Sequence, residues 1–234
     1  NKIDIKMDRN NICTYVESVL KNMPSDWLNL TTHRLDIYDE SLAKTQFIDR
    51  FEALYEANDA SKESLEALPT AYDYIRLGHP LSCILEWAIA GLNQIEANAV
   101  ISFSSKTIPI LAILRKNLLD NKNTRILYSD YLPSCFDAES LKSVYGYQFE
   151  LTQIDRSETT SPYEGSTILV SHEDEMDAIH LDSNVDFYIG FHSDLGSILL
   201  VNEERNRDYI SDIQHVRRRE TIAMTPSNAL DALK

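Results

Sequence analysis

Two serines, a lysine and a threonine in succession, Ser104-Ser105-Lys106-Thr107, follow a β-rich run from Ala99 to Phe103 and precede an apolar helical stretch that reaches Leu119. A helix start presents backbone N–H groups without partners inside the helix, together with the positive end of the helix dipole, so it suits a phosphate. Two hydroxyls, those of Ser104 and Ser105, and the Lys106 ammonium add donors to that spot. The alternative is that a serine only caps the helix. Any strand-to-helix junction has this general form, so both readings stay open on local pattern.

Two other clusters carry chemistry-bearing residues. His172, Glu173, Asp174, Glu175 and His180 form an acidic patch with histidines, but no H-E-x-x-H or comparable ligand spacing is present, and the patch reads as a solvated loop. His192-Ser193-Asp194 contains the residue types of a hydrolase triad in direct succession. Neighbours in sequence seldom converge in one site, and there is no G-x-S-x-G elbow. Cys13, Cys83 and Cys135 lack the close spacing of a zinc site or disulfide framework, and read as reduced thiols.

The elements that must position these residues follow from periodicity. Residues 11–66 read as helices, with Ile12, Val16, Val19 and Leu20 and then Phe47, Phe51, Leu54 and Tyr55 at helical spacing. After Pro80, the residues Leu81, Ile84, Leu85, Ala88, Ile89 and Leu92 form an apolar stripe that predicts an amphipathic helix. From Ala99 onward, short β-rich runs alternate with helices: 99–103, 125–128, 147–152, 167–170, 185–189 and 197–201, with helices to Leu119, around 138–145 and over 203–220. The implied class is α/β, a mostly parallel sheet flanked by helices, with an N-terminal helical segment over 1–68 and the α/β domain over 69–234.

A formal net charge of −15 opposes binding to a phosphate backbone, so nucleic acid is not an expected partner. The one basic cluster, Arg217-Arg218-Arg219, reads as a solvated face near a helix C-terminus. No run approaches the ~20 apolar residues of a membrane span, and residues 1–11 lack the apolar centre of a secretory signal. No membrane partner is expected, and the expected compartment is the cytoplasm.

Several segments occur in an order with a precedent. Tyr74-Ile75-Arg76-Leu77-Gly78-His79-Pro80, then Leu85-Glu86, then Phe103-Ser104-Ser105 resemble a run of Y-x-R-x-x-N-P-T, a leucine-glutamate helix and F-S-S-G-M. Tyr188-Ile189-Gly190-Phe191-His192-Ser193-Asp194 resembles Y-I-G-G-H-S-D, and Thr225-Pro226-Ser227-Asn228-Ala229 is similar to S-P-x-x-A. These are motifs of the Cys/Met-metabolism family of pyridoxal-phosphate (PLP) enzymes, related to cystathionine gamma-synthase and gamma-lyase. The resemblance covers a little over half the chain and implies a truncated PLP-transferase-like large domain.

In that family the Tyr and Arg of Y-x-R reach the cofactor phosphate of a neighbouring subunit, and the S-G-M backbone holds it within its own. The resemblance therefore implies cofactor-binding roles for Tyr74, Arg76, Ser104, Ser105, Lys106 and Thr107, although Lys106 and Thr107 replace Gly and Met. It also exposes losses. Phe187 stands where the family has its imine-forming lysine, and no lysine lies between Lys142 and Lys234. The ring-stacking tyrosine falls near Pro133, with Tyr131 two residues away, and Ser171-His172-Glu173 stands where an aspartate would meet the pyridine nitrogen. The interval from Leu151 to Val185 is short enough to imply a deleted strand and helix, and the family's substrate-carboxylate arginine is expected to be absent.

The expectation is a non-catalytic relative with no catalytic residues and no cofactor, acting as a homo-oligomer or paired with an active homologue. PLP is the cofactor if the family function survives. The alternatives are a PLP-dependent lyase or transferase of sulfur amino acids using Lys106 or a partner's lysine, and a binder of another phosphorylated small molecule.

Overall fold

The computed structural model describes residues 9–29, 43–69, 75–156, 158–175 and 181–234. Tyr74, one of the candidate site residues, lies outside them. Helices α1 (Arg9–Asn22), α2 (Ala43–Glu56) and α3 (Lys62–Glu66) come first, followed by α4 (Pro80–Asn93). Then come β1 (Val100–Phe103), α5 (Ile108–Leu119), β2 (Thr124–Tyr128), α6 (Ala138–Ser143), β3 (Phe149–Gln153), β4 (Ser166–His172), β5 (Phe187–His192), β6 (Gly196–Val201), α7 (Glu203–Glu220) and α8 (Pro226–Leu233).

The six strands form one sheet in the order β1-β6-β5-β4-β2-β3. Strands β3, β2, β4 and β5 are mutually parallel, while β6 runs antiparallel to both β5 and β1. Because β6 is reversed between them, β1 points the same way as the parallel strands. The C-terminal ends of β1, β2, β4 and β5 therefore share one sheet edge. Between β3 and β4 the described residues contain no helix. Arg125 of β2 holds this connection instead, donating to the Ser161 carbonyl (2.7 Å) and lying 4.7 Å from the Tyr163 ring centre.

Both faces of the sheet are covered, as parallel strands require. Ile101, Phe103, Ile126, Ile168, Phe187 and Ile189 face one core with α5 and α7, and Val100, Tyr188, Ile198 and Leu200 face the other with α1, α2, α4 and α8. Helix α4 departs from the amphipathic expectation: every residue from Pro80 to Gly91 is buried, Ser82 and Glu86 included. The sheet covers it on one side and the N-terminal helices on another, where Trp87 packs against Phe51 and Tyr55 with ring centres 5.1 and 5.0 Å apart.

Glu86 is tolerated because two cations reach it. Its Oε2 lies 2.8 Å from Lys44 Nζ, and its Oε1 accepts from Arg217 Nη1 at 2.8 Å. Burial by itself would raise the Glu86 carboxyl, but Lys44 and Arg217 hold it below the usual range. The expected solvated basic face is thereby corrected. Arg219 is exposed, whereas Arg217 is 4% exposed, because the nearest buried carboxylate needs its charge.

The same three side chains finish the sheet. Glu86 Oε1 accepts from the Ser102 N–H (2.8 Å), Arg217 donates to the Ser102 carbonyl (3.3 Å) and Lys44 donates to the Val100 carbonyl (2.6 Å). These groups of β1 point away from β6, so the ions stand in for a missing neighbour strand. Among the described residues no helix is long and apolar enough to cross a membrane.

Candidate functional site

The sheet edge at the C-terminal ends of β1, β2, β4 and β5 collects nearly all the sequence candidates. Open α/β sheets place ligands at such an edge. Ser104 to Thr107 follow β1, Ser129 to Tyr131 follow β2, His172 and Glu173 end β4, and His192 and Ser193 end β5.

At the start of α5 the chain satisfies itself. Ser105 Oγ accepts from the N–H groups of Thr107 (3.2 Å) and Ile108 (3.1 Å), and Pro109, one residue further, has no N–H to offer. Ser104 donates both its N–H (3.2 Å) and its hydroxyl (3.4 Å) to the Ile222 carbonyl. Lys106 Nζ donates to the Ser193 carbonyl at 2.5 Å, and Ser197 Oγ donates to the Ser105 carbonyl at 2.5 Å. Ser105 thus caps the helix, Ser105 and Lys106 fasten it to the β5–β6 hairpin, and Ser104 ties it to the connection after α7. Arg76 is exposed on the turn before α4.

Next to this clamp lies an aromatic group. The Tyr131 ring sits 5.0 Å from the His172 ring at an interplanar angle of 31°, and 5.6 Å from Phe191, which it meets edge-on. His192 follows at 6.5 Å from His172. Tyr131, rather than position 133, therefore brings a tyrosine ring to this edge, but it lies against the imidazole of its own chain.

Arg156 ties the polar side of the edge together. It donates to Asp130 Oδ2 (2.7 Å) and to the His172 carbonyl (2.5 Å), and its Nη1 lies 3.7 Å from Glu173 Oε2. Its hydrogen bond holds the Asp130 carboxyl below the usual range. Glu173, 5% exposed, accepts from the Tyr188 hydroxyl at 2.5 Å. Burial and then this bond push the Tyr188 hydroxyl upward. Glu173 is a structural anchor in this setting, where the sequence pattern read a solvated loop. A lone arginine in a polar loop gives no sequence signal, so the part Arg156 plays was not visible beforehand.

Two other readings change with the geometry. Phe187 opens β5 at the opposite sheet edge from His192, about 16 Å away at the strand rise per residue. It is fully buried, with its ring 4.9 Å from that of Tyr209. Position 187 is a core position, so the alignment that equates it with the family's lysine does not place it at the site. That β4, β5 and β6 bring no lysine to the edge follows instead from the lysine-free interval between Lys142 and Lys234. The His192-Ser193-Asp194 run makes a local turn: the Asp194 N–H donates to His192 Nδ1 (3.1 Å) and Ser193 Oγ to Asp194 Oδ2 (3.4 Å), with no hydroxyl-to-imidazole contact of a triad. Among the described residues no group of three or more His, Cys, Asp or Glu side chains is arranged for a metal ion.

No protein-family model and no curated protein matches the chain. Among solved structures it is similar to metB from Corynebacterium glutamicum, at 15% identity and a TM-score of 0.48, over 97% of this chain and 64% of that one. It is also similar to the cystathionine gamma-lyase from Lactobacillus plantarum solved with L-serine, at 15% identity and a TM-score of 0.40, over 68% of this chain and 51% of that one. The chain thus spans 64% and 51% of the lengths of these two proteins. At these scores the matches bear on no residue's role, and the functional reading rests on the chain's own geometry.

Proposed function

We propose that this chain is a non-catalytic protein on an α/β scaffold resembling that of PLP enzymes of sulfur-amino-acid metabolism, and that it acts by binding, through self-association or by pairing with an active homologue. One observation carries the reading: at the start of α5, the Ser105 and Lys106 groups that would meet an anionic cofactor have partners within the chain. Ser105 takes the first-turn N–H groups, Lys106 is fastened to Ser193, and Tyr131 lies on His172. These residues do not fit pyridoxal phosphate. A phosphate at this helix start would compete with the Ser105 cap and meet few remaining donors.

The test adds PLP to the purified chain, reduces with borohydride and measures the mass, while light scattering reports the assembly alone and with a cystathionine gamma-synthase or gamma-lyase. The expected result is an unchanged mass and a discrete species larger than a monomer in one of the two conditions. A reduced PLP adduct on any lysine, or a monomer in both conditions, would overturn the reading.

The second reading, a lyase or transferase acting on sulfur amino acids, is favoured by the presence of Lys106 at this edge. It predicts elimination from cystathionine by the purified chain, lost in Lys106→Ala.

A further inference from the structure

A cleft of about 450 Å³ opens between α1, α4 and α8, and none of Ser104 to Thr107 lines it. Its floor is apolar: Ile12 and Val16 of α1 face Leu85, Ala88 and Leu92 of α4. Glu17, Asp174, Glu175 and Asp231 stand around its mouth, all four exposed. Lys234 is the one cation among the described lining residues, and it lies 3.5 Å from Asp231.

We propose that this cleft binds a small cationic amphiphile, an amine carrying an alkyl or aryl chain. The volume falls within the range of small-ligand sites, and apolar walls with a few polar groups at one end are their usual lining. The carboxylates select charge at the mouth. A chain with a net charge of −15 repels anionic ligands of the same shape and draws cations to this opening. Recession of the floor decides the size of the ligand. Ile12, Val16, Leu85 and Ala88 are only 1%, 5%, 2% and 7% exposed, so the apolar contact they offer is narrow and suits a slender chain. A docked helix, about 10 Å across, needs a broad exposed apolar stripe that these residues do not present.

Cys13 lines the same cleft and is exposed, Cys135 is exposed outside it and Cys83 is buried. The native thiols therefore report occupancy without any label. Alkylation of each cysteine by iodoacetamide is followed by peptide mass spectrometry with added n-octylamine or n-octanoate. An occupied cleft shields the Cys13 thiol from the reagent, so octylamine slows its alkylation by about tenfold at saturation. The rate at Cys135 stays unchanged, and octanoate at the same concentration has no effect.

Leu92→Trp fills the cleft from a half-buried position and abolishes the protection. The exposed pair Glu17→Gln and Asp231→Asn keeps the fold and weakens octylamine binding by about twofold to fivefold, the worth of exposed charge pairs. Protection by octanoate equal to that by octylamine overturns the charge selection. Absence of any protection, or protection that survives in a folded Leu92→Trp variant, overturns the site. None of these outcomes depends on PLP binding or on the oligomeric state, so this proposal and the non-catalytic reading fail separately.

Discussion

One imidazole shows how a single residue links elements here. His79 Nδ1 accepts from the Ser82 N–H at 3.1 Å, capping α4, so its Nε2 carries the proton and donates to the Met224 carbonyl at 2.6 Å. The ring is 1% exposed, and burial drives its pKa down from 6.5 to about 4, against the opposing pull of Met224 and Glu86. An unfolded chain takes up this proton as the pH falls below 6.5, while the native chain resists until about 4. The stability this contributes is thus complete above pH 6.5 and is lost progressively down to pH 4, by up to about 3 kcal/mol at the low end. Guanidinium unfolding between pH 7.5 and 4.5 should show that slope, and His79→Asn, which keeps a capping side chain, should flatten it. Equal slopes in the two proteins would show that His79 does not titrate as described.

Among the elements, the β5–β6 hairpin depends on a residue without a side chain. Gly196 has φ of +123°, and a Cβ there would lie 2.2 Å from the Phe103 carbonyl oxygen. The hairpin approaches β1 so closely that the strands must part to admit a methyl group, which would also pull on the Ser197–Ser105 and Lys106–Ser193 contacts. Gly146, with φ of +73°, has nothing within 4 Å of its hypothetical Cβ. Gly146→Ala therefore carries only the left-handed backbone penalty, about 1 kcal/mol, and Gly196→Ala adds a backbone clash for a total of about 2–4 kcal/mol. Chemical denaturation of the two variants side by side measures the difference. Equal losses would mean that the close approach to β1 is relaxed at no cost.

Over the whole molecule, the N-terminal helices and the sheet share material. One apolar cluster runs from Ile12 and Phe47 through Trp87 to Val100, Ile198 and Leu200. Lys44 of α2 adds a charged tie to Glu86 of α4 and to the edge of β1. Trp87, 2% exposed, is near the middle of this arrangement. Its truncation to alanine should cost about 3–5 kcal/mol. Because helices and sheet meet in that cluster, the loss should appear equally in native-state hydrogen exchange of α2 amides and of β5 amides. A loss confined to α2 would identify the N-terminal helices as a separately unfolding unit.

The layout of local elements was legible in the sequence because it depends on near neighbours. The stripe from Leu81 to Leu92 marked α4, the alternation after Ala99 marked strands and helices within a few residues of their ends, and Ser104 to Thr107 marked a strand-to-helix junction. What that junction does was not legible. The partner of Lys106 is 87 residues away and that of Arg217 is 131 residues away, and no spacing rule reports such meetings. The same holds for Phe187, whose place at the far end of β5 follows from strand pairing with Ile168 and Val201. By itself the sequence determined the class of fold, the absence of a lysine between Lys142 and Lys234 and an anionic surface. Only the tertiary structure decided that Ser105 and Lys106 are matched from within, that a run of arginines contributes a buried ion pair, and that a cleft opens between α1, α4 and α8. Periodicity fixes which way a side chain faces along its own element, whereas the partner it faces is set by how distant segments pack.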